Sequence, residues 1–179
     1  MNPVDRDAVA RAAELVGLFV ASPSEFGTVT AVAAGRVPEP FRALLDHASH
    51  MTVAMERHHG GPVTLRVVAE SSGAGSSYAR EILLSGPGGD VVQHGIVRID
   101  LAAVDAAAAA RIRAHAAPLG RILVEAGALC EVGDVGLVEV VPGPHLARLI
   151  GSRPTFGRVA TIVIAGRPAI ELLEIAAAP

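Results

Sequence analysis

Arg80 is the side chain whose position asks most of its surroundings. In Tyr78-Ala-Arg-Glu-Ile-Leu-Leu84 it sits in mid-run, with Ile82 and Leu84 following at every second residue. A period of two is the signature of a strand, so these three side chains share one face. A guanidinium beside isoleucine and leucine either meets a carboxylate or stays unpaired, at a cost of about several kcal/mol. Two arrangements satisfy it. One is an internal ion pair with Glu171 or Glu174, both in the apolar run from Ala169 to Ala176. The other is capture of a ligand carboxylate, whose planar geometry the guanidinium fork matches. Spacing alone favours neither.

The remaining chemistry-bearing residues have plainer readings. Four of the seven histidines (His47, His50, His58 and His59) fall on one expected helix. His47 and His50 share a face, but His58 lies too many turns away and no carboxylate supplies a third ligand, so no metal site is expected. The glycine clusters Gly60-Gly61, Gly73-Ala-Gly75 and Gly86-Pro-Gly-Gly89 do not lie between a strand and a helix, as phosphate cradling requires, and read as hairpin turns. Serines crowd Ser71 to Ser77 without a G-x-S-x-G elbow, which leaves serine hydrolysis unsupported.

Composition removes further classes. All 15 basic residues are arginine. Without lysine there is no Schiff base, no pyridoxal-phosphate anchor and no standard P-loop. Cys130 stands alone, so neither an intramolecular disulfide nor a cysteine-rich metal site can form. A net charge of −3 and an aromatic content of 3% offer little to nucleic acid. Alanine inflates the hydrophobic fraction of 51%, and no apolar run nears the ~20 residues of a membrane span. Asp5, Asp7 and Glu14 open the chain where a leader would be basic. A cytoplasmic protein with neither a membrane nor a nucleic-acid partner is expected.

The elements that must position these residues follow from periodicity. Apolar spacing predicts a helix from Asp5 to Val20, a loop over 25–36, and a second helix from Val37 to His59 with Pro40 in its first turn. β-Branched runs predict strands at Val63–Ala69, Tyr78–Leu84 and Val91–Ile99, joined by glycine-rich hairpins. Asp100 is a candidate N-cap for an alanine-rich helix from Leu101 to Ala116, and Pro118 begins a short one. A strand over Gly136–Val141, a helical piece over Leu146–Ile150 and a hairpin of Arg158–Ala165 with Ala169–Ala176 complete the chain. The 179 residues suit one domain, 1–179. The expected class is α+β, a six-stranded, mainly antiparallel sheet with helices packed on one side.

Several blocks, in order, resemble the chorismate pyruvate-lyase (4-hydroxybenzoate synthase) family. Tyr78-Ala-Arg-Glu-Ile-Leu-Leu84 resembles the strand bearing its substrate-binding arginine, and His50-Met-Thr-Val-Ala-Met-Glu56 its helix with a Met-Thr pair. Pro118-Leu-Gly-Arg-Ile-Leu123 resembles its Pro-Leu-Gly-Arg turn, and Gly157-Arg158 with Gly166-Arg-Pro168 its C-terminal hairpin. The resemblance spans residues 50–176 and implies a chorismate-lyase-like sheet with a largely enclosed site. It also implies a lyase that converts chorismate to 4-hydroxybenzoate and pyruvate without cofactor or metal. Arg80 would then bind a substrate carboxylate, helped by Met51, Thr52, Leu119, Gly120 and Arg158, and Glu174 would serve as polar partner or general acid. The family's glutamate stands seven residues after the hairpin glycine, whereas Glu171 and Glu174 stand five and eight after Gly166. Parity favours Glu171 as the pocket residue. Depth in the apolar strand favours Glu174, with one extra hairpin residue or a bulge restoring its facing.

The alternative function is non-catalytic binding of a small aromatic acid, as in the effector domains of some bacterial transcription regulators that share this fold. Against it stand the acidic charge and the lack of a helix-turn-helix ahead of the domain. A catalytically dead paralogue binding the same acid is a third reading. Nothing in the sequence signals an oligomeric state.

Overall fold

A seven-stranded antiparallel sheet carries the chain in the computed structural model, which describes residues 3–178. Its strands are β1 (Gly27–Ala31), β2 (Thr64–Ser72), β3 (Ser77–Ser85), β4 (Val91–Asp100), β5 (Cys130–Pro142), β6 (Thr155–Ile164) and β7 (Arg167–Ala176). They lie in the order β1-β5-β6-β7-β4-β3-β2. The helices are α1 (Pro3–Val16), α2 (Pro23–Phe26), α3 (Phe41–Leu45), α4 (Met51–His59), α5 (Ala106–Arg113), α6 (Leu119–Glu125) and α7 (Pro144–Ile150).

The α+β class and antiparallel sheet are as expected, and two details differ. The first is a seventh strand, β1, inside the segment expected to be a loop. Its five residues pair with β5, more than a hundred positions away, a partnership that local periodicity does not encode. Gly27 opens it at φ 133°, where a Cβ would run into the backbone of Val141 and Gly143.

The second difference is that helices cover both faces of the sheet. Strand side chains alternate, so in β7 Leu172 packs with α5 and α6 while Leu173 and Ile175 pack with α1 and α7. The central strands are apolar at consecutive positions, and a strand buried on both sides needs cover on both. The expected helix from Val37 to His59 is two helices, with residues 46–50 between them unwound. Helix 101–116 is likewise divided. Asp100 caps only a short 3-10 turn, taking the N–H of Ala102 at 3.0 Å, and Asp105 caps α5 by taking that of Ala108 at 2.8 Å.

On the α1–α7 face, Glu81 and His94 are buried on adjacent strands. The Nε2 atoms of His94 and of His145, in the first turn of α7, each donate to Glu81 Oε1 at 2.8 Å. Burial pushes the His94 pKa below its ordinary 6.5, which Glu81 only partly offsets. Burial also raises Glu81, but the two histidine hydrogen bonds outweigh it and hold the carboxyl below its ordinary 4.5.

Both shifts act in one direction. His94 is neutral when folded, so the unfolded chain takes up a proton below about pH 6.5 that the folded chain refuses. Glu81 contributes stability above its ordinary pKa that is lost as pH falls through its folded value. Stability should therefore fall from pH 7 to pH 5. Urea denaturation across that range should show a shallower slope for His94→Gln than for the parent. The slope should not vanish, because burial also lowers His47, His50 and His59. An unchanged slope in His94→Gln would show that His94 binds its proton alike in the folded and unfolded chain.

Candidate functional site

Three cross-strand rows floor a pocket on the other face. The first runs Arg80, Val97, Leu172, Ala160; the second Ile82, Gly95, Glu174, Arg158; the third Leu84, Gln93, Ala176. The rows follow from the pleat, since every second residue of β3, β4, β7 and β6 faces the same way. Gly95 leaves the middle row without a side chain, and Ile82 leans over it, so that a Cβ at 95 would lie 3.3 Å from Ile82 Cγ1. The first turns of α4 and α6 form the roof. They meet because Gly120 lacks a side chain: a Cβ there would come within 3.0 Å of Thr52 Oγ1 and 3.1 Å of His50 Cβ. A narrow cavity of about 50 Å³ lies between floor and roof.

Of the residues singled out in the sequence, Arg80, Met51, Thr52, Leu119, Gly120, Arg158 and Glu174 all line this pocket. Glu171 does not. It points to the opposite face, where its Oε2 accepts from Arg98 Nε at 2.6 Å. Glu174 stands in the pocket floor because β6 and β7 shift register near the hairpin, between Ile162 and Val163.

The two pocket arginines have opposite fates. Arg158 is fully used: its Nε donates to Glu174 Oε2 at 2.8 Å, and its terminal nitrogens donate to the carbonyls of His47 at 2.8 Å and Ser49 at 3.1 Å. Those carbonyls belong to the unwound segment between α3 and α4, so Arg158 also explains why the helix breaks there. Arg80 is 1% exposed and makes no ion pair among the described residues. One terminal nitrogen donates to the Ile112 carbonyl at 3.2 Å, and its Nε has no partner. Burial lowers its pKa, and the Tyr78 hydroxyl and Glu70 only partly offset this. The internal ion pair weighed for Arg80 is therefore made by Arg158 instead.

The helix starts add donors. The first N–H groups of a helix have no intrahelical acceptor. Neither N-cap residue, His50 on α4 or Pro118 on α6, satisfies them through its side chain. Donors thus converge on the pocket from a buried cation and from the α4 terminus. Sequence reasoning missed Gln93, which is 2% exposed, lines the pocket and has an unpartnered Oε1. The signal was available, because Gln93 interrupts the apolar strand Val91–Ile99 as Arg80 interrupts its neighbour. Among the described residues no group of three or more His, Cys, Asp or Glu is arranged to hold a metal ion, and no helix is long and apolar enough to cross a membrane.

No family model and no curated protein sequence matches the chain. In structure it is similar to PhnF from Mycobacterium smegmatis, at 14% identity and a TM-score of 0.56 over 72% of this chain. The chain spans 64% of that protein's length. Against the effector domain of PhnF alone the TM-score is 0.55 at 14% identity, covering 72% of this chain and 88% of that domain. A transcriptional regulator of the GntR family from Enterococcus faecalis matches at 10% identity and a TM-score of 0.47, over 64% of this chain and 93% of the other. The architecture is thus that of an effector domain with a chorismate-lyase-like fold.

These likenesses correct two expectations. The lyase reading, with chorismate as substrate and pyruvate and 4-hydroxybenzoate as products, gives way because the fold matched is that of an effector domain. The geometry points the same way: the carboxylate expected to act as general acid is fastened by Arg158. The exclusion of nucleic acid is also withdrawn, since the fold matched is that of an effector domain, one part of a longer protein.

Arg158→Met should be strongly destabilising. It leaves Glu174 buried without its counter-charge and frees the carbonyls of His47 and Ser49. Breaking a buried pair costs about 3–5 kcal/mol, readable as a lower urea midpoint at unchanged slope. A loss within about 0.5 kcal/mol, the range of ordinary surface substitutions, would show that the pair does not hold the site.

Proposed function

We propose that this chain is a non-catalytic binding domain for a small acid with an apolar body, an aromatic acid being the class that suits the pocket. One observation carries the reading: Arg80 is buried in the pocket floor with a vacant Nε and no carboxylate of its own. A guanidinium in that position is complementary to a carboxylate supplied from outside. The N–H groups of Met51 and Thr52 at the start of α4 share the anion, and the close approach at Leu119 and Gly120 shapes the roof. Val97, Ile82 and Leu172 below and Met51 and Leu119 above suit a flat apolar ring. Arg158 and Glu174 neutralise each other and form a wall, and Glu171 stays outside. Residues 1–179 act as one such domain in the cytoplasm, in the manner of a regulator's effector domain.

The test is calorimetric titration with benzoate. The wild-type chain should bind it and should melt at higher temperature in its presence, because a ligand held only by the folded state stabilises that state. Arg80→Ala should bind roughly ten- to a hundred-fold more weakly, the worth of a charge-assisted hydrogen bond. Equal affinity in the two proteins would refute the assignment of Arg80.

A further inference from the structure

We infer that Gln93 reads the far end of the ligand, so that the pocket selects acids carrying a hydrogen-bond donor opposite the carboxylate. The inference rests on the carboxylate being held at Arg80. Gln93 and Leu84 are cross-strand partners, and Arg80 lies four residues before Leu84 on β3. Four residues of strand separate the two rows by about 13 Å, and both long side chains line the space between. Gly95, two residues from Gln93, carries no side chain into that space, and Ile82 leans over it.

The pocket is polar in a directed sense. Its Arg80 end offers a guanidinium, which donates and has no acceptor atom. Its Gln93 end offers acceptors beside the donor NH2 of the Gln93 amide. Gln93 Oε1 is buried and unpartnered, and Glu174 in the neighbouring row presents a carboxylate of which Oε2 is engaged by Arg158. A buried carbonyl with no donor forfeits its solvation on folding, and leucine at 93 would carry no such penalty. A ligand hydroxyl or amino group removes the penalty. The complementary molecule therefore bears a carboxylate at one end, an apolar body over Ile82 and Gly95, and a hydroxyl or amino group at the other end.

The experiment titrates the full chain with benzoate, 4-hydroxybenzoate and 4-methoxybenzoate, the last matching the second in length but lacking its donor. The wild type should prefer 4-hydroxybenzoate to each of the others by about ten-fold, the worth of one well-placed neutral hydrogen bond. Gln93→Met keeps the length and apolar contacts without the amide. It should bind all three acids within about two-fold of one another. Two results would overturn the inference. One is a preference for 4-hydroxybenzoate that survives in Gln93→Met. The other, which needs no variant to fold, is wild-type binding of 4-methoxybenzoate as tight as that of 4-hydroxybenzoate. If benzoate binding depends on Arg80 while either result holds, only the role of Gln93 fails. If no acid binds the wild type, the class of ligand fails with it.

Discussion

A buried cation without a direct ion pair among the described residues is the constraint around which this molecule is arranged. Arg80 and Arg158 sit on one face of one sheet, in neighbouring rows, and are equally hidden from water. Arg158 meets a carboxylate and two carbonyls, whereas Arg80 meets one carbonyl at the end of α5, with the Tyr78 hydroxyl and Glu70 near enough only to offset its burial in part. A fold selected only for stability would not leave the second charge so poorly met, because the desolvation of a guanidinium is repaid only by a well-placed partner. The asymmetry makes sense if the missing partner arrives from outside. Around it the chain omits side chains where neighbours close in, Ile82 over Gly95 in the floor and α4 against Gly120 in the roof.

The opposite face keeps this arrangement rigid. Glu81 is the chain neighbour of Arg80, and His94 is the chain neighbour of Gln93. The hydrogen bond between Glu81 and His94 therefore ties β3 to β4 beneath the two residues proposed to read the ligand. His145 joins the same carboxylate and docks α7 against those strands. Because the pleat sends adjacent residues to opposite faces, each strand uses alternate positions for the pocket and the rest for its support. A register slip of one residue would exchange the two sets, so the buried polar pair and the two helical layers together specify the site.

Much of this was legible in the sequence where the signal is local. Arg80 among alternating apolar residues identified a face, and the glycine-rich hairpins identified an antiparallel sheet. What escaped was non-local. β1 is a strand only because β5 lies beside it, and the break between α3 and α4 exists because Arg158, over a hundred residues later, takes the carbonyls of His47 and Ser49. Two-sided cover was written in the consecutive apolar residues of β6 and β7 but is recognisable only once the sheet is assembled. Gln93 obeyed the same logic as Arg80 without the charge that draws attention. The lyase expectation erred for a different reason: residues that grip an acid are the same in a protein that transforms it and in one that senses it.

The central claim is that Arg80 is kept for a ligand and not for the fold. It is tested most directly by the unfolding free energy of Arg80→Met without any acid present. Methionine fills similar volume and brings no charge, so the account predicts a stability equal to or above the parent's, by up to about 4 kcal/mol, as when buried ionic groups yield to apolar ones. A loss of several kcal/mol in the ligand-free protein would contradict it and make Arg80 a structural residue.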